Sequence, residues 1–214
     1  MILALALALL TPAPGLWAGF QEVEGSRAIP VIGKVKTRSQ TWFLATLTPR
    51  ADGGFRLEQR PCRVEIAPVL GVSVRLDPAA VPRLPAATAD FTPEADGLFG
   101  AAGWTSGWDA TDVDGDGHPG VTLAVNAPLC GGRLYVASTS TTQARLKAQG
   151  EALEARVAVR VEQRVLGADG ACLKATADDE VQALTGWFRL VPVPPGTGCP
   201  TDPAAWPAIP GAPR

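Results

Sequence analysis

Leu153-Glu-Ala-Arg-Val-Ala-Val-Arg-Val-Glu-Gln-Arg-Val165 is the stretch whose reading decides the fold. Leu153, Ala155, Val157, Val159, Val161, Gln163 and Val165 alternate with Glu154, Arg156, Ala158, Arg160, Glu162 and Arg164. A period of two is the mark of a half-buried strand. Helical spacing would also collect Leu153, Val157, Val161 and Val165 on one stripe. Strand is preferred because five of the six intervening residues are charged and because valine is β-branched and stiff at χ1.

The same alternation recurs on both sides of this run. Val31, Gly33 and Val35 alternate with Ile32, Lys34 and Lys36, and Trp42, Leu44 and Thr46 with Phe43, Ala45 and Leu47. Asp52-Gly53-Gly54 then separates two such runs and reads as a hairpin turn before Phe55 to Gln59. Further strands are expected around Cys62–Ile66, Val72–Leu76, Val121–Val125, Leu134–Thr139 and Trp187–Val191. Trp42 and Trp187 read as core residues. Residues 77–120 show no sustained period and read as one long loop, with a short helical turn near Ala79-Ala80-Val81. The fold class expected is all-β: an antiparallel, lipocalin-like barrel, or else a sandwich. A barrel disposes of the exposed edges that a small exported sheet would otherwise carry. From Pro192 the chain holds eight prolines and reads as an irregular tail, residues 192–214, laid over the domain and pinned by Cys199 and Trp206.

Length and composition narrow the class. The 214 residues are 46% hydrophobic and 19% charged, with a net charge of −2. That balance excludes a disordered chain and lacks the basic face a nucleic-acid binder needs. Ile2 to Leu10 is the one long apolar run. It reads as the core of a secretory signal, residues 1–18, with Leu16 and Ala18 at the −3 and −1 places of the cut. Removal leaves a domain of 19–191 plus the tail, with no membrane span. The protein is expected to be exported, to the periplasm, the outer surface or the medium.

Cys62, Cys130, Cys172 and Cys199 make an even count in an exported chain, so two disulfides are expected. Three pairings are possible, and the order along the chain favours Cys172–Cys199 with Cys62–Cys130. The long spacings and the absence of a C-x-x-C argue against zinc.

The sharpest motif is Asp112-Val-Asp-Gly-Asp-Gly117. Asp112, Asp114 and Asp116 occupy positions 1, 3 and 5 of a D-x-D-x-D-G calcium loop, and Gly117 sits where such loops turn. The His118 carbonyl falls at position 7, and Asp109 is a candidate for a further ligand. Gly120 and Leu123 stand where an EF-hand has an oxygen ligand and a bidentate Glu, so this is not a helix-loop-helix sensor. Bound Ca²⁺ of weak affinity is expected, in a loop resembling those of extracellular β-proteins and type 3 thrombospondin repeats. The alternative is an acidic turn that uses Asp and Gly for their turn propensity.

The stretch from Trp108-Asp109 through Asp112-Val-Asp-Gly-Asp-Gly-His-Pro-Gly-Val-Thr122, followed by Cys130-Gly-Gly-Arg-Leu-Tyr-Val-Ala137, resembles uncharacterised exported proteins of GC-rich delta-proteobacteria. Val165-Leu-Gly-Ala168 and Phe188-Arg-Leu-Val-Pro192 are similar too. The resemblance implies a shared secreted β fold and supplies no activity.

Catalytic signatures are sparse. His118 is the one histidine and lies inside the acidic loop, so a Ser–His–Asp triad would have to use it. Carboxylate-only glycoside hydrolysis would draw on Glu58, Glu65 and Glu162, which read as solvated strand faces. Trp104 and Trp108 either stack on a ligand or anchor the long loop to the core. The Ser138–Thr142 run fits a half-exposed strand, or a barrel interior. The reading is a non-enzymatic, exported, calcium-stabilised barrel that binds a small or extended ligand or sits at the cell surface. The alternative is an extracytoplasmic hydrolase of polysaccharide or lipid.

Overall fold

The computed structural model describes residues 12–29, 33–128, 130–202 and 205–209. The apolar run 2–10 lies outside them. Ten strands form one antiparallel sheet: β1 Gly15–Ile29, β2 Gly33–Pro49, β3 Phe55–Ile66, β4 Ser73–Leu76, β5 Ala87–Pro93, β6 Leu98–Trp108, β7 Val121–Asn126, β8 Gly132–Gln149, β9 Ala152–Ala168 and β10 Glu180–Pro192. The spatial order is β4-β7-β8-β6-β5-β3-β2-β1-β10-β9, and β8 pairs with β9 as well. That last pairing closes a ring of eight strands; β7 continues along the edge of β8 that β6 occupies, and β4 pairs with β7. Apart from β4 and β7, each stave pairs with its neighbour in the chain, so this is an up-and-down barrel.

The alternating run Leu153–Val165 lies within β9. Val157 and Val159 point into the barrel beside Leu153 and Ala155, while Arg156, Ala158 and Arg160 stand exposed outside. Phe55, Phe91, Phe99, Leu47, Leu146, Leu153 and Leu190, all buried, close one end of the interior. Fully burying side chains of this kind stabilises by about 1.5–3 kcal/mol each.

Residues 77–120 are not one loop. They contribute two staves, β5 and β6, as well as a 3₁₀ turn at Val81–Arg83 beside the expected helical turn. The alternation of β6 fails because its sequence is Leu-Phe-Gly-Ala-Ala-Gly-Trp-Thr-Ser-Gly-Trp and because it bulges. Ala101 faces Ala144 and Trp104 faces Thr142, so β6 carries one residue more than β8 over that span. Small residues suffice there because Phe91 fills the interior against Trp104, with ring centroids 5.9 Å apart.

The expected cut after Ala18 falls inside β1. Trp17 and Ala18 are buried, and the Trp17 Nε1 donates to the Ala13 carbonyl at 3.2 Å. Gly15–Ala18 pair with Leu47–Leu44 of β2, and Trp17–Ala18 with Pro192–Val191 of β10.

Trp42 and Trp187 do not lie in the barrel interior. Trp42 is a core residue of a second buried cluster outside the wall, with Ala18, Phe20 and Ile209, against which the half-buried Trp187 and Trp206 pack. Phe20 lies 5.0 Å from Trp42 and 5.2 Å from Trp187 between ring centroids. The tail therefore covers the outer face of β1, β2 and β10, as expected of residues held by Trp206. The Val193 amide extends the ladder by donating to the Leu16 carbonyl.

The disulfides are Cys62–Cys199 and Cys130–Cys172, so the favoured pairing is corrected. Arg63 faces Trp42 and Pro61 faces Phe43, which leaves Cys62 as the extra residue of a bulge in β3. There it meets the tail. The β8–β9 ladder brings Ala168 opposite Leu134, so the connections holding Cys130 and Cys172 are neighbours. The second bridge ends on the short helix α1, Ala171–Thr176.

β5 is the weakly held stave, pairing with β6 at Thr92 and Pro93 only. Its other edge is fastened by charge. Arg56 stands opposite Asp90 and donates to it at 2.7 and 2.9 Å, and Arg50 reaches the same carboxylate at 2.7 Å. The hydrogen bond from Arg56 leads in lowering the Asp90 carboxyl to about 2. A depressed carboxyl contributes stability above its unfolded value near 3.9, and that contribution fades as pH falls toward 2. Both partners are half-exposed, so the effect is at most about 1 kcal/mol. Asp90→Asn is expected to lower the melting temperature slightly at pH 7. The difference from the parent should close below about pH 2, which paired thermal melts would check.

Candidate metal loop and barrel mouth

β6 and β7 lie along the same edge of β8 and point the same way. Trp108 faces Ser138 at the end of β6, and Val121 faces Val136 at the start of β7. They are one stave interrupted by residues 109–120, which leave the wall and return to it. The base of this loop is closed by the Gly120 amide, which donates to the Ala110 and Thr111 carbonyls, and by the Val113 amide, which donates to the Gly120 carbonyl. Gly120 has φ 75°, and a Cβ there would collide with the Val136 carbonyl. A side chain at this position is excluded by both backbone angle and space.

Asp112 organises the turn. Its Oδ1 accepts from the Gly115 and Asp116 amides at 2.7 and 3.2 Å, and its Oδ2 from the Gly117 amide at 3.0 Å. The Gly117 hydrogen bond leads in holding its carboxyl below the usual range. Asp114 Oδ2 accepts from the Thr122 amide at 2.8 Å. Asp116 accepts from the His118 amide at 2.9 Å and from the Thr122 hydroxyl at 2.7 Å. The Arg83 guanidinium donates to the Asp114 carbonyl and ties the 3₁₀ turn to the loop.

One carboxylate oxygen from each of Asp112, Asp114 and Asp116 lies within 4.8 Å of the others, so the cluster could hold a metal ion. Asp114 Oδ1 is buried and has no hydrogen-bond partner among the described residues. A desolvated carboxylate oxygen without a donor is costly unless a cation or water meets it.

Of the two further candidates, the Asp109 side chain lies outside the cluster, while for His118 the expected ligand is the backbone carbonyl and the ring is free to pack. Asp109 turns back on its own segment, where its Oδ1 accepts from the Thr111 amide at 2.8 Å. Hydrogen bonds from Thr111 lower its carboxyl. The His118 ring stacks on Tyr135, with centroids 4.1 Å apart, and its Nε2 lies 3.3 Å from the Tyr135 hydroxyl. Burial leads in raising the Tyr135 hydroxyl. Tyr135 and Arg133 in turn lower the Asp169 carboxyl. The histidine thus anchors the loop to β8. Thr122, whose amide and hydroxyl serve two of the three aspartates, carried no signal in the sequence beyond following the loop.

Trp104 is buried in the interior, and Trp108 is half-buried with its Nε1 donating to the Val136 carbonyl at 2.8 Å. Both therefore fit the anchoring role of the two considered. Glu58, Glu65 and Glu162 pair with Arg60, Arg63 and Arg160 on strand surfaces. An outer cleft does gather Glu22, Glu24 and Glu94. There Glu22 accepts from Gln40 and pairs with Arg38, and Glu94 pairs with Arg145.

The loop stands at the end of the barrel opposite the phenylalanine floor. A cleft of about 1030 Å³ opens there, lined by Ser106, Trp108, Ser138, Gln163 and Glu180 together with loop residues. Fold and site together define an eight-stranded up-and-down barrel with an acidic loop set into one stave. No family model matches the chain, and no curated protein or solved structure matches it.

Proposed function

We propose that this is an exported barrel whose acidic loop binds Ca²⁺ and whose mouth, next to that loop, takes up a ligand at or outside the cell envelope. The observation that carries the reading is the convergence of Asp112, Asp114 and Asp116, with Asp114 Oδ1 buried and unbonded. Calcium is favoured among cations because the donors are all hard oxygens in a glycine-rich loop of the D-x-D-x-D-G pattern. Three carboxylates supply fewer oxygens than the six to eight that calcium takes, so water completes the shell and affinity is weak, roughly 10⁻⁴ to 10⁻³ M. A cation here would hold together the two halves of the interrupted stave, which makes stability its main effect. Two disulfides fit an oxidising compartment and support export, as does the apolar run Ile2–Leu10.

Thermal unfolding with 10 mM Ca²⁺ and then with chelator tests this. At 10 to 100 times Kd, linkage stabilises by about 1.4 to 2.7 kcal/mol, a rise of roughly 3 to 11 °C for a chain of this size. The rise should disappear in Asp114→Ala. No rise, or a rise that survives the substitution, would reduce the loop to a turn. An equal rise with Mg²⁺ would refute calcium selectivity.

A further inference from the structure

The two ends of the barrel carry unlike turns. At the phenylalanine floor they read Arg50-Ala-Asp-Gly-Gly54, Glu94-Ala-Asp-Gly97 and Gly150-Glu151, rich in charge as surface turns ordinarily are. At the mouth end the β3–β4 turn reads Ile66-Ala-Pro-Val-Leu-Gly-Val72, without one polar side chain. Ile66, Leu70 and Val181 are the large apolar side chains left exposed among the described residues, and all three stand at the mouth end.

Leu70 is disfavoured twice over. It is 62% exposed, and its φ is 53°. Val69 and Val72 exchange both amide-to-carbonyl bonds at 2.9 Å, so Leu70 and Gly71 are the central pair of a tight turn, both left-handed. Such positions take Asn, Asp or Gly. The other left-handed residue that is not glycine among the described residues is Asp96, in a floor turn, and it is of the expected kind. A leucine held in a strained backbone with no core to pack against points to a contact outside the molecule.

Cations flank this turn. The Ala67 amide donates to the Arg38 carbonyl, and β2 extends beyond that point with Lys36 and Lys34, both exposed and on the same strand face as Arg38. Lys174 of α1 is exposed at the same end. No ion pair engages these three lysines among the described residues. The carboxylates here are engaged or set back. Asp169 is held by Arg133 at 2.7 Å. Asp179, next to Asp178, accepts from the Val165 amide at 2.8 Å. Val165 and Val121 both face Val136, so these carboxylates stand where β7 starts. The acidic loop lies behind the same point, and β7 carries the stave six residues beyond it.

We infer that the β3–β4 turn docks the protein on an anionic lipid surface, with Leu70 entering the interfacial region and Lys34 and Lys36 lying over headgroup phosphates. One turn is far short of the roughly 800 Å² per partner that a stable protein interface buries. A bilayer asks only for apolar depth and positive charge, which this turn and its neighbours supply together. The barrel rests on the bilayer and does not cross it, because its outer wall is charged, as at Arg156 and Arg160.

The test is hydrogen exchange of the full chain, read by mass spectrometry with chelator present. It is run without vesicles, with phosphatidylcholine vesicles, and with vesicles holding about 30% phosphatidylglycerol. Ile2–Leu10 is apolar enough to bind any bilayer by itself, so the readout is the exchange of the turn and not binding of the whole chain. Slower exchange over 66–72 is expected with the anionic vesicles alone. It should fade at high salt and leave the floor turns unchanged. Leu70→Asn should abolish the slowing while the melting temperature stays the same or rises, because Asn suits a left-handed turn position. Lys34→Ser with Lys36→Ser should raise the lipid concentration needed roughly 25-fold, at about fivefold per lysine. No slowing with either vesicle, equal slowing with both, or slowing that survives either variant unchanged would overturn the docking. Slow exchange over 66–72 that grows with protein concentration, lipid absent, would give the turn to a second copy of the chain instead. With chelator present throughout, none of these outcomes bears on the calcium reading.

Discussion

A chain beginning at Gly19 is expected to melt far below one beginning at Pro12, or not to fold. The four residues between Gly15 and Ala18 are rungs of the β1–β2 ladder, and Trp17 belongs to the interior cluster with an exposure of 3%. Losing one buried Trp side chain costs about 3–5 kcal/mol. For a domain of this length that is a fall of roughly 6 to 20 °C, before the lost hydrogen bonds are counted. Scanning calorimetry of the two chains checks it. A corollary concerns processing: if a leader is removed, the new amino terminus should lie ahead of Gly15, readable from the intact mass of the processed chain. Equal melting of the two chains would show the start of β1 to be dispensable and would leave the cut after Ala18 standing.

The second large effect is expected at the disulfides, and it is unequal. Cys62–Cys199 spans 137 residues and Cys130–Cys172 spans 42. The chain-entropy relation gives about 5 and about 4 kcal/mol for loops of these lengths, with measured effects often smaller. The larger loss should come from Cys62→Ser with Cys199→Ser, because it also releases the tail that covers Phe20 and Trp42. The double variant Cys130→Ser with Cys172→Ser should lose less, since α1 buries only Leu173. Thermal melts of the two oxidised double variants give the comparison. Peptide mapping without reduction should link the Cys62 peptide to the Cys199 peptide. A Cys172–Cys199 linkage would refute the arrangement of the tail.

Local chemistry was enough for much of this protein. The charged and aliphatic alternation of 153–165 specifies β9 unaided, because one face of a strand meets the core and the other meets water. Asp52-Gly53-Gly54 specifies its turn, with Asp52 Oδ1 accepting from the Gly54 amide at 3.0 Å. The D-x-D-x-D-G spacing brings three carboxylates together, because alternate residues of a tight loop project toward one centre. An even cysteine count predicted two bridges.

What those signals could not settle was long-range. β6 escaped notice because alternation reports the environment of a side chain, and β6 packs small residues and a bulge against large residues from other staves. Which cysteines meet depends on the β8–β9 ladder and on the path of the tail, neither of which is visible in chain order. Asp109 lies three residues ahead of Asp112, close enough in sequence to be a candidate for a further ligand. Only the closure of the loop base sends one to Thr111 and the other to the centre of the turn. Leu16 and Ala18 match the ends of a cleavage site as well as they match a strand. It is the burial of Trp17 between β2 and β10 that puts them in the wall. The sequence alone determined the strands with two distinct faces and the place where a cation could sit. The tertiary structure decided which residues shared an interior, because that depends on partners far away in the chain.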